Sequence, residues 1–112
     1  MSGRAEQPLG APGLRWLGAD PPAVPTTPEQ LRVYCGRYVL SDLTYVVRCE
    51  AEGLTGGQLG RTPRPLRLES PDVFFVPGEP RTRRIFQRDA AGHITGFVER
   101  RESWDLFWKR VD

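Results

Sequence analysis

The sequence predicts an all-β fold: an eight-stranded antiparallel up-and-down β-barrel with one short N-terminal helix, in a chain of 112 residues. Two observations point to strands. β-branched and aromatic residues dominate the runs after Gly36, and turn residues recur about every ten positions. The third concerns closure: eight short antiparallel strands in an open sheet leave two unpaired edges, which a barrel removes. A chain of this length has room for one domain, which typically buries ~65% of the surface its unfolded form exposes.

Residues 1–26 read as a proline-rich tail or linker, and residues 27–112 as the barrel domain. Six of the 11 prolines fall within the first 28 residues, and Pro21-Pro22-Ala23-Val24-Pro25 reads as an extended, semi-rigid spacer. Leu14, Trp16 and Leu17 interrupt that polar character as a short apolar patch suited to docking. Thr27-Pro28-Glu29-Gln30 is a helix start, with a hydroxyl at the N-cap, proline at the first helical position and glutamine placed to close a capping box. Leu31 and Tyr34 share a face of the turn that follows, and Gly36 releases the chain into a strand.

The strands are expected at 36–40, 43–50, 53–59, 63–69, 73–77, 83–89, 93–100 and 104–111. Leu43, Tyr45, Val47 and Cys49 alternate with Thr44, Arg48 and Glu50, and Leu66 and Leu68 with Arg67 and Glu69, so each strand has one inward face. Ser41-Asp42 and Asp89-Ala90-Ala91-Gly92 supply hairpin loops. Leu54-Thr55-Gly56-Gly57-Gln58-Leu59 is glycine-rich for a strand and suggests a bulge or a close approach. Eight strands enclose either packed side chains or one small ligand. Phe74, Phe75, Phe86, Phe97, Trp104, Phe107 and Trp108 have the bulk to fill the interior. Along the last strand Trp104, Leu106 and Trp108 should share one face, with Asp105, Phe107 and Lys109 on the other.

Chemistry is sparse. No run approaches the ~20 apolar residues that span a bilayer, and Met1 to Gly18 lacks the continuous apolar stretch of a secretion signal; a cytoplasmic protein is expected. The formal charge is +2, and Lys109 is the only lysine among 16 basic residues. Arg81, Arg83, Arg84 and Arg88 form the densest basic run, with Arg61, Arg64 and Arg67 a second. Such runs can follow a nucleic-acid backbone, but with this charge a solvated strand edge is the expectation. His93 follows a hairpin glycine, where a bystander histidine is expected. One histidine and two unclustered cysteines do not make a metal-ligand set, and no cofactor site or paired catalytic carboxylates stand out.

Cys35 and Cys49 are expected as buried free thiols. If Ser41-Asp42 sets Leu40 opposite Leu43, Cys35 faces Arg48 and the thiols point to opposite sides of the sheet. A one-residue slip would set Cys35 opposite Cys49, close enough for a disulfide to be considered.

Three segments read together as a signature: Leu31-x-x-Tyr34-x-Gly36-x-Tyr38, Phe86-x-x-Asp89-x-x-Gly92-x-Ile94-x-Gly96-Phe97, and Trp104-x-x-x-Trp108-Lys109-Arg110-Val111. Over roughly residues 27–111 the chain resembles the lipocalin-like accessory domain that follows serine β-lactamase, penicillin-binding or D-aminopeptidase type hydrolase domains. The resemblance implies a non-catalytic, peptidase-related accessory or interaction protein. It cannot build the Ser-x-x-Lys pair of those hydrolases, since Leu106 stands three residues before Lys109, and the chain has no asparagine. The alternatives are a small-ligand carrier with an open barrel mouth and a cryptic enzyme using His93. Expected partners are a second copy, another protein or a small apolar ligand, without membrane or nucleic acid. Trp16, Trp104, Trp108, Arg83 and Arg84 are the candidate contact residues.

Overall fold

Thr27 caps the first helix as its sequence implies. In the computed structural model, which describes residues 19–112, the Thr27 hydroxyl accepts from the Gln30 N–H and the Gln30 side chain accepts from the Thr27 N–H. This capping box opens helix α1, Pro28–Arg32. Eight strands follow: β1 Gly36–Leu40, β2 Leu43–Glu50, β3 Gly53–Gln58, β4 Arg64–Ser70, β5 Val73–Phe75, β6 Arg83–Arg88, β7 Ile94–Arg101 and β8 Trp104–Arg110. Each pairs antiparallel with the next, and β8 returns to β1 through Tyr38↔Arg110 and Val39↔Lys109. The result is a closed barrel without a free edge. Seven of the eight expected strands differ from the observed ones by at most one residue at either end. The exception is β5, which stops at Phe75, because Pro77 and Gly78 turn the chain into the loop before β6.

The interior is a column of rings. Tyr34, from the turn after α1, meets Phe74 and Phe86 edge-on at 4.8 and 4.9 Å. Phe86 meets Tyr38 at 5.7 Å, Tyr38 meets Phe97 at 5.1 Å, and Phe97 meets Tyr45 at 5.1 Å and stacks on Trp108 at 5.8 Å. Val47, Leu54, Leu66 and Ile94 fill the spaces between the rings. Mostly edge-to-face pairs of this kind add attraction to the burial of their area. Glycine admits the closest backbone approach: a Cβ at Gly96 would collide with the Trp108 carbonyl of the paired strand.

Three of the expected interior fillers, Phe75, Trp104 and Phe107, lie elsewhere. Phe107 is 62% exposed and Trp104 56% exposed. Phe107 takes the outward face that alternation gives it. Trp104 has inward parity but stands at the start of β8, beyond the end of the ring column, where it lies against the Arg101 guanidinium at 5.7 Å. Phe75 and Val98 are buried outside the interior cluster.

The two thiols form a disulfide, which corrects the expectation of free cysteines. The register is the one the Ser41-Asp42 loop implies, with Leu40 opposite Leu43 and Gly36 opposite Val47, so no slip is needed. Cys35 precedes β1, in the turn where its N–H bonds the Arg32 carbonyl, and strand alternation does not set its side-chain direction. The Cα atoms of Cys35 and Cys49 are 6.2 Å apart, within the range a disulfide spans.

Residues before α1 lie on the barrel. The Asp20 carboxylate accepts from the Gly78 N–H, and the Val24 N–H donates to the Leu68 carbonyl at 2.8 Å. No helix among the described residues is long and apolar enough to cross a membrane.

Candidate functional site

The two ends of the barrel differ in chemistry. At the end that α1 covers, the Tyr34 hydroxyl donates to Asp72 Oδ1 at 2.7 Å, and Arg88 holds the same carboxylate through Nε and Nη2. The Arg88 hydrogen bond leads in holding the Asp72 pKa below the usual carboxylate value, with the Tyr34 bond assisting, while burial of Tyr34 pushes its own phenol up. These groups are mutually satisfied and close that end.

At the opposite end the loops 59–63 and 76–82 and the end of β7 surround a cavity of about 530 Å³, lined among others by Tyr45, Gly56, Gly57, Arg64, Glu79, Arg84, Glu99 and Arg101. Its floor is the last tier of rings. Trp108 Nε1 donates to Glu99 Oε1 at 3.1 Å, and the Arg84 guanidinium stands 5.8 Å from the Tyr45 ring centre. Burial pushes the Tyr45 phenol up, against the opposing Arg84 charge. Arg84 points inward because it lies two residues before Phe86 on β6, and Glu99 does so because it lies two after Phe97 on β7.

Each carboxylate in this mouth already has a partner. Glu99 Oε2 accepts from Arg101 Nε and Nη2 at 3.1 and 2.8 Å, and Glu79 is bonded by Arg64. Arg84 approaches both only at long range, with Nη1 3.9 Å from Glu79 Oε1 and Nη2 3.8 Å from Glu99 Oε2. Its Nε and Nη1 are buried and make no hydrogen bond.

The expected contact residues divide accordingly. Trp104 is exposed. Trp108, 3% exposed, is part of the interior and cannot present a contact surface. Arg83 and Arg84 are not a solvated strand edge, being 1% and 9% exposed. Arg83 donates to Glu69 at 2.6 Å and to the carbonyls of Pro80 and Thr82, whereas Arg84 enters the mouth. Trp16 lies outside the described residues. His93 stands exposed on its hairpin, with Nδ1 3.7 Å from the Asp89 carboxylate. No cluster able to hold a metal ion occurs among the described residues.

The cationic mouth was not foreseen. A signal was present, since strand alternation places Arg84 and Glu99 on the same side as Phe86 and Phe97, two residues away; the pairing of Glu79 with Arg64 and Arg84 depends on the 76–82 loop and leaves no pattern. No protein-family model and no curated protein matches the chain.

Proposed function

We propose that this protein is a non-catalytic, lipocalin-like β-barrel module that serves as an accessory or interaction protein of peptidase-type hydrolases. The observation that carries this reading is the filled interior. A barrel carrier of an apolar ligand holds it inside the barrel, but here the axis is occupied from Tyr34 to Trp108 by rings 4.8–5.8 Å apart, and the cavity of about 530 Å³ lies at the charged mouth. Recognition therefore belongs to the outer surface and the mouth.

The three-part signature supports the relation through fold alone. Leu31, Tyr34, Tyr38, Phe86, Ile94, Phe97 and Trp108 are all interior residues, so the motif encodes a barrel and not a reaction. The disulfide supports an oxidising compartment over the cytoplasm expected from the sequence.

The test is to mix the purified chain with a D-aminopeptidase-type hydrolase domain, following association by sedimentation and turnover of a D-amino-acid amide. Association or altered turnover, with no hydrolysis by the chain alone, is the expected result. Saturable binding of the neutral dye Nile red in the interior would favour a carrier. Turnover by the chain alone that is lost on His93→Ala would favour an enzyme.

A further inference from the structure

We propose that the Arg84 mouth is a binding site for a single carboxylate group, carried either by a small molecule or by the C-terminus of a peptide. The proposal goes beyond the accessory-module reading by naming a site and a ligand chemistry, and a failure to bind carboxylates would leave that reading intact.

A buried guanidinium normally has its N–H groups satisfied, because an unmet buried donor retains its desolvation cost. Arg83, its neighbour in β6, shows the usual solution, with a carboxylate and two carbonyls accepting from it. Arg84 differs. Its Nε and Nη1 make no hydrogen bond, its side chain bonds the Tyr45 hydroxyl, and the two carboxylates that pair with it at 3.9 and 3.8 Å are held more closely by Arg64 and Arg101. The lining contains Arg61, Arg64, Arg84 and Arg101 against Glu79 and Glu99, a cationic surplus. An acceptor entering the cavity would stand beside this largely desolvated guanidinium, and a turn of the side chain that brings the buried Nε or Nη1 toward it would make a strong charge-assisted hydrogen bond.

The wall is shaped to admit one. Gly56, Gly57 and Gly60 line the cavity without side chains. A Cβ at Gly56 would lie 2.5 Å from the Tyr45 hydroxyl oxygen, so glycine here leaves room for the phenol beside Arg84, where its O–H can serve as a second donor. The two glutamates select the kind of anion. A dianion such as phosphate faces repulsion from both, while a singly charged, planar carboxylate adds less charge and matches guanidinium geometry. These features separate the site from a plain basic patch.

The test is an NMR titration of the intact chain, following the Gly56, Gly57 and Gly60 amides and the Arg84 Nε–H. The probes are N-acetylalanine, its amide, inorganic phosphate, and an N-acetylated peptide ending in alanine with a free carboxylate. N-acetylalanine should shift these signals saturably, with a dissociation constant on the order of 1 mM, and the amide should bind at least ~10-fold more weakly. Phosphate should bind more weakly than N-acetylalanine. Peptide binding tighter than that of the amino acid assigns the ligand to a chain terminus, and equal binding assigns it to a small carboxylate; both uphold the site. Arg84→Gln should abolish the shifts, and Tyr45→Phe should weaken binding ~3-fold while keeping the ring. Should Arg84→Gln fail to fold, Tyr45→Phe and the acid–amide comparison decide the matter. Equal binding of acid and amide, preferred binding of phosphate, or the absence of saturable shifts overturns the proposal.

Discussion

Trp108 and Glu99 join the apolar column to the charged mouth: the indole N–H donates to Glu99 Oε1 at 3.1 Å while the indole ring stacks on Phe97. Glu99 is 5% exposed, and a carboxylate so buried is retained only when its oxygens are bonded. Trp108 supplies one partner from below and Arg101 the other from the rim. A single side chain therefore packs the interior and orients an acid of the mouth.

The two roles of Trp108 separate by substitution. Trp108→Ala removes the ring and leaves a cavity, at a cost of ~3–5 kcal/mol. Trp108→Phe keeps most of the packing but leaves Glu99 Oε1 without its donor, and should cost ~1–3 kcal/mol. Urea unfolding of both variants checks the order. A loss below ~1 kcal/mol for the alanine variant would contradict a buried ring.

The disulfide closes a loop across β1 and β2, with a sequence separation of 14. Constraining a loop of this size in the unfolded chain is worth ~3 kcal/mol by loop entropy. Replacing both Cys35 and Cys49 by serine should lower the unfolding free energy by that order and leave the barrel signature in circular dichroism unchanged. An unaltered midpoint would mean that the native state offsets the constraint.

Much of the barrel could be read in advance because its determinants are local. The Thr27–Gln30 capping box acts within three residues, the Ser41-Asp42 loop sets its own register, and alternation places Tyr45, Val47 and Leu66 inside, where they are buried. The disulfide could not be read this way, since its geometry depends on a turn outside the alternating strand. Trp104 shows a different limit. Its parity was right, but parity does not say where the interior ends. The mouth was hidden for a chemical reason: charged residues are assigned to solvent by default, and Arg84 reads with its neighbours as a basic run on a solvated strand edge.

Removal of residues 1–26 should leave a cooperatively unfolding barrel, because Thr27 carries the capping box and all eight strands follow it. It should not be without cost. The truncation removes the Val24 bond to Leu68 and the Asp20 carboxylate that accepts from Gly78, each worth on the order of 1 kcal/mol when made at a partly solvated site. A chain that loses its cooperative transition would show that the segment completes the fold.

Stability should fall at both extremes of pH, for different residues. Asp72 has a folded-state pKa below its unfolded value, chiefly through the Arg88 hydrogen bond. It therefore contributes stability that is complete above about pH 4 and is lost as pH falls through the lowered value. Tyr38 behaves oppositely. Burial raises its pKa to about 12, so the neutral phenol is favoured in the folded state, and its contribution is complete below about pH 10 and lost as pH rises through the folded value. Its hydroxyl donates to the Tyr34 carbonyl at 2.7 Å, a bond that ionisation abolishes. In denaturant titrations across pH, Asp72→Asn should make the acid limb shallower without removing it, because Asp89 and Asp105 are also held below the usual carboxylate value by hydrogen bonds, and should leave the alkaline limb in place. Tyr38→Phe should make the alkaline limb shallower without removing it, because Tyr34 and Tyr45 are also raised by burial. If Asp72→Asn instead left the acid limb unchanged, the Arg88 and Tyr34 bonds would not stabilise the closed end of the barrel.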